Sequence, residues 1–258
     1  MLSMLHCPSA LNSRFIDEMS HFMTKSSVLL LFPCIVSSLF FLLYWVPHGE
    51  PPCPMGVLYK CLPIVFLCLY VGTHILQDGL TRYTACVLIG LLFSGTGDAY
   101  LVYQKDYFIQ GMLAFAVAHL FYSIAFHERP MWWKFMAYYM PFYVSMFAIL
   151  APRVSFKVFW AGVVYGQLIT VMLWRAAARL DFRNPSVSKL CAFWGAFLFL
   201  VSDTVLSLNK FAMPLPYAQY LIMPTYYASQ ILITLSIHKD VEKQDANSVC
   251  ANGLKKEN

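Results

Sequence analysis

Charge is what this chain has least of: 12% of its 258 residues are Asp, Glu, Lys or Arg, about half the share of an ordinary soluble domain. With 59% apolar residues, that balance excludes a water-solvated globule and makes lipid the solvent. The surplus of +5 charges sits in short connections and the tail, where a membrane surface accounts for it and no nucleic acid is called for. The eight cysteines form no CxxC pair, and most lie in apolar runs where a free thiol packs as a small hydrophobe. Cys53 and Cys61 are the one pair placed to bridge on the outer side, and free thiols are the expectation there too. HExxH, a P-loop and a triad-type serine motif are also missing. Zinc-peptidase, nucleotide-driven and serine-hydrolase chemistries therefore have no support, and neither a metal nor a cofactor is expected.

What is present is a regular succession of apolar runs, at about 28–46, 57–77, 84–104, 108–126, 132–151, 156–178, 190–209 and 217–238. Each is near the roughly 20 residues that a helix needs to cross the hydrocarbon. Backbone groups in lipid must be satisfied within their own segment, so the expected fold class is all-α, an integral membrane bundle of about eight helices. Prolines mark the connections, Pro47, Pro51, Pro52 and Pro54 in the first and Pro130, Pro152, Pro185 and Pro214 later. Short connections make consecutive helices antiparallel neighbours. Residues 1–27 have mixed charges and no apolar stretch, so a cytosolic segment is expected there and not a signal peptide. Residues 28–238 form the transmembrane unit, and 239–258 read as a disordered polar tail. Thirteen Lys and Arg fall on the side of the two termini, against Lys60, Lys105, Arg153, Lys157 and Lys210 on the other. That asymmetry predicts cytosolic termini. The last residues, Lys255-Lys256-Glu257-Asn258, have the form of a dilysine address of endoplasmic reticulum membrane proteins.

Two carboxylates break the apolar pattern. Asp98 lies in the third run and Asp203 in the seventh, whereas every other acid sits in a connection or at a terminus. An acid at that depth needs a polar cavity or a partner, which makes it a functional candidate. Asp98 follows Thr84 by 14 residues and Asp203 follows Leu190 by 13, so at about 1.5 Å per residue both stand at one height, nearer the outer face. Each is followed seven residues later by a lysine, Lys105 and Lys210. This echo at an offset of 105 suggests a parallel four-plus-four repeat, although little else repeats. Ser94 lies one turn before Asp98, His119 and Tyr122 share a face of the fourth run, and Tyr226, Tyr227 and Gln230 stripe the eighth. With Lys60 they can line a polar pocket among apolar walls. His119 taken alone reads as a helix-packing histidine. Tyr138, Tyr139 and Tyr143, with Trp132 and Trp133, read as an interfacial belt.

At these residues the chain resembles the lysoplasmalogenases, YhhN-like membrane proteins. The matching stretches are Lys60-Cys61-Leu62-Pro63, Phe93-Ser94 with Gly97-Asp98-Ala99, Phe115 to Tyr122 with Ala125-Phe126, Ser202-Asp203, Asn209 to Tyr217, and Ile222 to Gln230. Pro224 departs from the pattern, in a place where a small polar residue is expected, and predicts a kink in the eighth helix. The resemblance covers about Val28 to Ile237 and implies hydrolysis of the vinyl ether bond of lysoplasmalogens, with Asp98 and Asp203 as the functional pair. Lys60, Ser94, His119, Tyr122, Asn209, Lys210, Tyr226, Tyr227 and Gln230 are the candidate substrate-binding residues. The expected partner is a membrane lysophospholipid. Protonating the outer alkene carbon of a vinyl ether gives an oxocarbenium-like cation that water attacks. One acid and one base, provided by two close carboxyls, would suffice. The residues leave open which aspartate takes which role. A proton- or cation-coupled small-molecule transporter would also use an intramembrane acid pair. A receptor or scaffold suits the small loops less well.

Overall fold

A computed structural model describes residues 25–48, 52–127, 133–180 and 186–238. Among them are eight helical segments, which fall where the eight apolar runs lie. They are α1 (Lys25–Phe40, continued by a π turn Phe41–Trp45 and by Val46–His48), α2 (Pro54–Asp78), α3 (Arg82–Val102) and α4 (Gln104–Ala125). Then come α5 (Trp133–Leu150), α6 (Phe156–Ala178), α7 (Val187–Ser207, continued by a π turn Leu208–Ala212) and α8 (Gln219–Leu235). Five of them, α2, α3, α4, α6 and α7 with its π turn, are by themselves long and apolar enough to cross a membrane. Of the expected terminal segments 1–27 and 239–258, residues 1–24 and 239–258 lie outside the described residues, and residues 25–27 open α1.

Local chemistry sets the ends. Pro54 opens α2 where its missing N–H costs nothing. At the far end of α2, Gly79 takes φ 85° and its N–H closes on the Ile75 carbonyl, a conformation that suits glycine. Thr81 then caps α3 through a reciprocal pair of hydrogen bonds with Thr84.

Each helix packs on the next within 1–4 and within 5–8, and the halves join where α4 meets α6 and α8 meets α2 and α3. The surface is inverted relative to a soluble protein. Leu76, Phe156 and Leu29 are among many large apolar side chains on the outside, whereas Ser94, His119, Ser229, Gln230 and Thr234 are fully buried. Such a surface is stable only against lipid. Toward the ends of α2, α6 and α8, and the starts of α3 and α7, polar bonds tie the bundle. Arg179 Nη1 donates to Tyr83 Oη at 2.7 Å, Tyr83 Oη is 2.7 Å from Ser236 Oγ, and Ser188 Oγ donates to the Ser236 carbonyl at 2.7 Å. The thiols of Cys34, Cys53, Cys61, Cys68, Cys86 and Cys191 are free, so Cys53 and Cys61 do not bridge.

Candidate functional site

Asp98, on α3, is reached from two other helices, α2 and α8. One face of α3 carries Gly90, Ser94, Gly97 and Asp98, all buried. Its glycines let aromatic rings of α4 lie against the helix backbone: a Cβ on Gly90 would stand 2.3 Å from the Tyr122 ring, and one on Gly97 2.6 Å from Phe115. Lys60 of α2 places Nζ 3.5 Å from Asp98 Oδ1. Tyr226 of α8 donates to Asp98 Oδ2 at 2.6 Å. Next to it, Tyr227 donates to the Lys60 carbonyl at 2.9 Å. Tyr122 donates to Gln230 Oε1 at 2.8 Å and lies 3.4 Å from Ser94 Oγ. Asp98 is 1% exposed, so this cation and hydroxyl are what make a charge tolerable there.

Asp203 has a different set of partners. Tyr165 of α6 donates to Asp203 Oδ2 in a short hydrogen bond. His119 of α4 brings Nε2 to 3.0 Å from the Tyr165 oxygen and 3.5 Å from Asp203 Oδ2. A tyrosine hydroxyl has one proton. With that proton on Asp203, the Tyr165 oxygen must accept from His119 Nε2–H, which directs a chain of donors at the carboxylate. His119 Nδ1 is buried without a hydrogen-bond partner among the described residues. The ring of Phe199 lies against both sets, its centroid 5.5 Å from Tyr226 and 4.6 Å from His119. Each carboxylate thus heads its own set of partners, where the sequence suggested two carboxyls sharing one pocket.

Asp203 also forms part of the wall of an apolar cavity of about 120 Å³ between α4, α5, α6 and α7. Phe115, Tyr139, Tyr143, Phe147, Tyr165 and Leu200 are among the other wall residues, and Leu101, Phe108, Leu150, Val154 and Phe211 lie at its outer end. Asp98 is not in that wall.

Most of the residues expected at the site converge. Lys60, Ser94, Tyr122, Tyr226, Tyr227 and Gln230 gather around Asp98, and His119 joins Asp203. Two do not reach either carboxylate. Asn209 uses Oδ1 to accept from the Leu215 backbone N–H at 2.8 Å, which fastens the turn after α7. Lys210 sits over the Phe108 ring, 4.3 Å from its centroid, at the outer end of the cavity. The belt reading is corrected for Tyr139 and Tyr143, whose rings line the cavity, because α5 turns that face toward α6. Trp132 lies outside the described residues, as do the side chains of Trp133 and Tyr138. Pro224 falls in the first turns of α8, and the helix continues through it to the Tyr226–Gln230 stripe. Tyr165 is the residue that sequence reading missed. A signal for it existed, since the offset of 105 that relates Asp98 to Asp203 also relates Lys60 to Tyr165 and Tyr122 to Tyr227.

A helical bundle with an apolar exterior and two inward carboxylates, one bordering an apolar cavity, is a polytopic membrane protein. The chain belongs to the YhhN family, which it matches over residues 55–237. It is 38% identical over 210 residues to lysoplasmalogenase TMEM86A of Bos taurus, covering 80% of this chain and 87% of the relative. Human lysoplasmalogenase TMEM86B is 34% identical over 218 residues, 83% of this chain and 88% of its own. A protein of Escherichia coli O157:H7, described as uncharacterized membrane protein YhhN, is 25% identical over 183 residues, 70% of this chain and 86% of its own. No solved structure matches.

Proposed function

We propose that this chain hydrolyses the vinyl ether bond of lysoplasmalogens, releasing a fatty aldehyde and glycerophosphocholine or glycerophosphoethanolamine. The observation that carries this reading is Asp203, an intramembrane carboxylate in the wall of an apolar cavity and backed by Tyr165 and His119. It stands in a chain similar to proteins named lysoplasmalogenases.

In its protonated form Asp203 transfers a proton to the outer alkene carbon, and the ether oxygen lone pair stabilises the resulting oxocarbenium ion. The carboxylate then lies beside a cation and takes a proton from the water that adds to it. The hemiacetal collapses to aldehyde and alcohol, so one water is consumed and the acid is restored. Positioned acid–base assistance of this kind is worth about 10²–10⁴ in rate, and a dry cavity strengthens the charge stabilisation. Asp98, with Lys60 on one oxygen and Tyr226 on the other, holds α2, α3 and α8 in register behind the reacting centre. Lys60 is committed to Asp98, so Lys210, at the cavity's outer end, is the cation for the lipid phosphate. The charge asymmetry of the loops supports cytosolic termini, where the dilysine pattern of the tail would act as an endoplasmic reticulum address.

Purified protein in detergent tests the reading. Aldehyde release from lysoplasmenylcholine is expected, with a loss of about 10²-fold or more in Asp203→Asn and a comparable loss in Asp98→Asn. Normal turnover in either variant removes that residue from the mechanism. Gradient-driven solute uptake in vesicles, without aldehyde release by wild type, would establish the transporter instead.

A further inference from the structure

A second apolar space, of about 390 Å³, borders α7 below Asp203, with Leu173, Phe193, Phe197, Val201 and Val205 in its wall. Phe197 is 38% exposed on the outside of the bundle, so this space opens toward lipid between α5 and α7. Tyr139, Phe142, Leu200 and Thr204 line both this groove and the cavity that holds Asp203. Those four side chains stand between the two spaces, which abut there, and a path from one to the other runs past them. From Asp203 to Phe193 it descends ten residues of α7, about 15 Å at 1.5 Å per residue. Asp203 is the path's carboxylate; below it the wall is hydrocarbon and aromatic ring, with the hydroxyls of Tyr139 and Thr204.

We infer that the hydrocarbon tail of an alkenyl lysophospholipid lies along this path. The inference rests on the hydrolytic reading above. The vinyl ether stands at Asp203, the tail crosses between Tyr139, Phe142, Leu200 and Thr204, and its end reaches the groove at Leu173, Phe193 and Val201. The headgroup stays at the outer end, near Lys210. Burial of apolar surface scales with tail length, so the groove residues determine chain-length preference. An opening on the lipid side also lets a tail enter sideways, without drawing its polar headgroup through the bundle.

Val201 lines the groove and not the cavity, and Val201→Trp fills the groove at a site separate from Asp203's partners. The measured quantity is the ratio of kcat/KM for hexadecenyl over octenyl lysoplasmenylcholine. Val201→Trp is expected to lower it about tenfold or more, the range in which apolar pockets discriminate chain methylenes. An active variant with the wild-type ratio overturns the inference. Wild-type protein gives an independent measurement through a saturated ether lysophosphocholine carrying a diazirine at the tail end. Photolabel is expected on Leu173 or within residues 193–201, and labelling confined to α1, α2 and α8 overturns the path. Wild type that labels there but releases no aldehyde sinks the hydrolytic reading and leaves the tail path standing.

Discussion

A hydroxyl that gives its only proton to Asp203 obliges His119 to be the donor behind it, and this fixes what a conservative change should do. Tyr165→Phe keeps the ring and its contact with His119, at 5.1 Å between centroids, but removes the hydrogen bond to Asp203. Turnover should fall by about 10²-fold with the thermal midpoint little changed, and a loss of turnover matched by unfolding would make Tyr165 a packing residue. Lys60 predicts the opposite balance. Lys60→Met leaves Asp98 buried and unpaired, which costs about 3–5 kcal/mol. Adding Asp98→Asn to Lys60→Met should recover much of that stability in a thermal unfolding measurement, without recovering activity. A double variant no more stable than Lys60→Met would show that the ion pair carries little of the fold.

At the scale of the element, α3 shows why one helix can serve as the backbone of a site. Its small residues face α4, so Tyr122 and Phe115 pack against its main chain, and Tyr122 then reaches Gln230 on α8. Gly90→Ala would push the Tyr122 ring away by more than a side chain can yield, since the new Cβ would stand 2.3 Å from a ring carbon. Overpacking of this kind costs about 1–3 kcal/mol, and a lower thermal midpoint with reduced turnover is expected. An unchanged midpoint would mean that α3 and α4 can separate freely. On α7 the π turn Leu208–Ala212 is closed by Met213 N–H on the Leu208 carbonyl at 2.9 Å. It follows Asp203 by little more than a turn, in keeping with the frequent placement of such turns near functional residues. Asn209 and Lys210 both lie on this turn, the one accepting from the Leu215 N–H and the other over the Phe108 ring, away from both carboxylates.

At the scale of the molecule, the halves differ in how tightly they are built. α3 and α4 share an extensive interface, whereas α5 rests mainly on α6 and on the π turn of α7, with the cavity and groove beneath it. Regions with few packed contacts open at lower free energy. Hydrogen exchange of detergent-solubilised protein should therefore be faster along α5 than along α3 and α4. Equal protection would argue against α5 as the wall beside which a lipid tail enters.

The number, order and approximate extent of the helices were determined by the sequence alone, because solvation by lipid requires each crossing to be a long apolar run; their ends shifted by a few residues where caps and π turns set them. The two aspartates were legible for the same reason, as charges that the hydrocarbon would otherwise have excluded. Their inequality was decided only in three dimensions. Lys60 and Tyr226 close around one, Tyr165 and His119 around the other, and just one of them meets the cavity. Partners brought from α2, α4, α6 and α8 depend on helix rotation, which composition and spacing do not encode. Packing against neighbouring helices sets that rotation, and it turned Tyr139 and Tyr143 from an expected belt into a cavity wall.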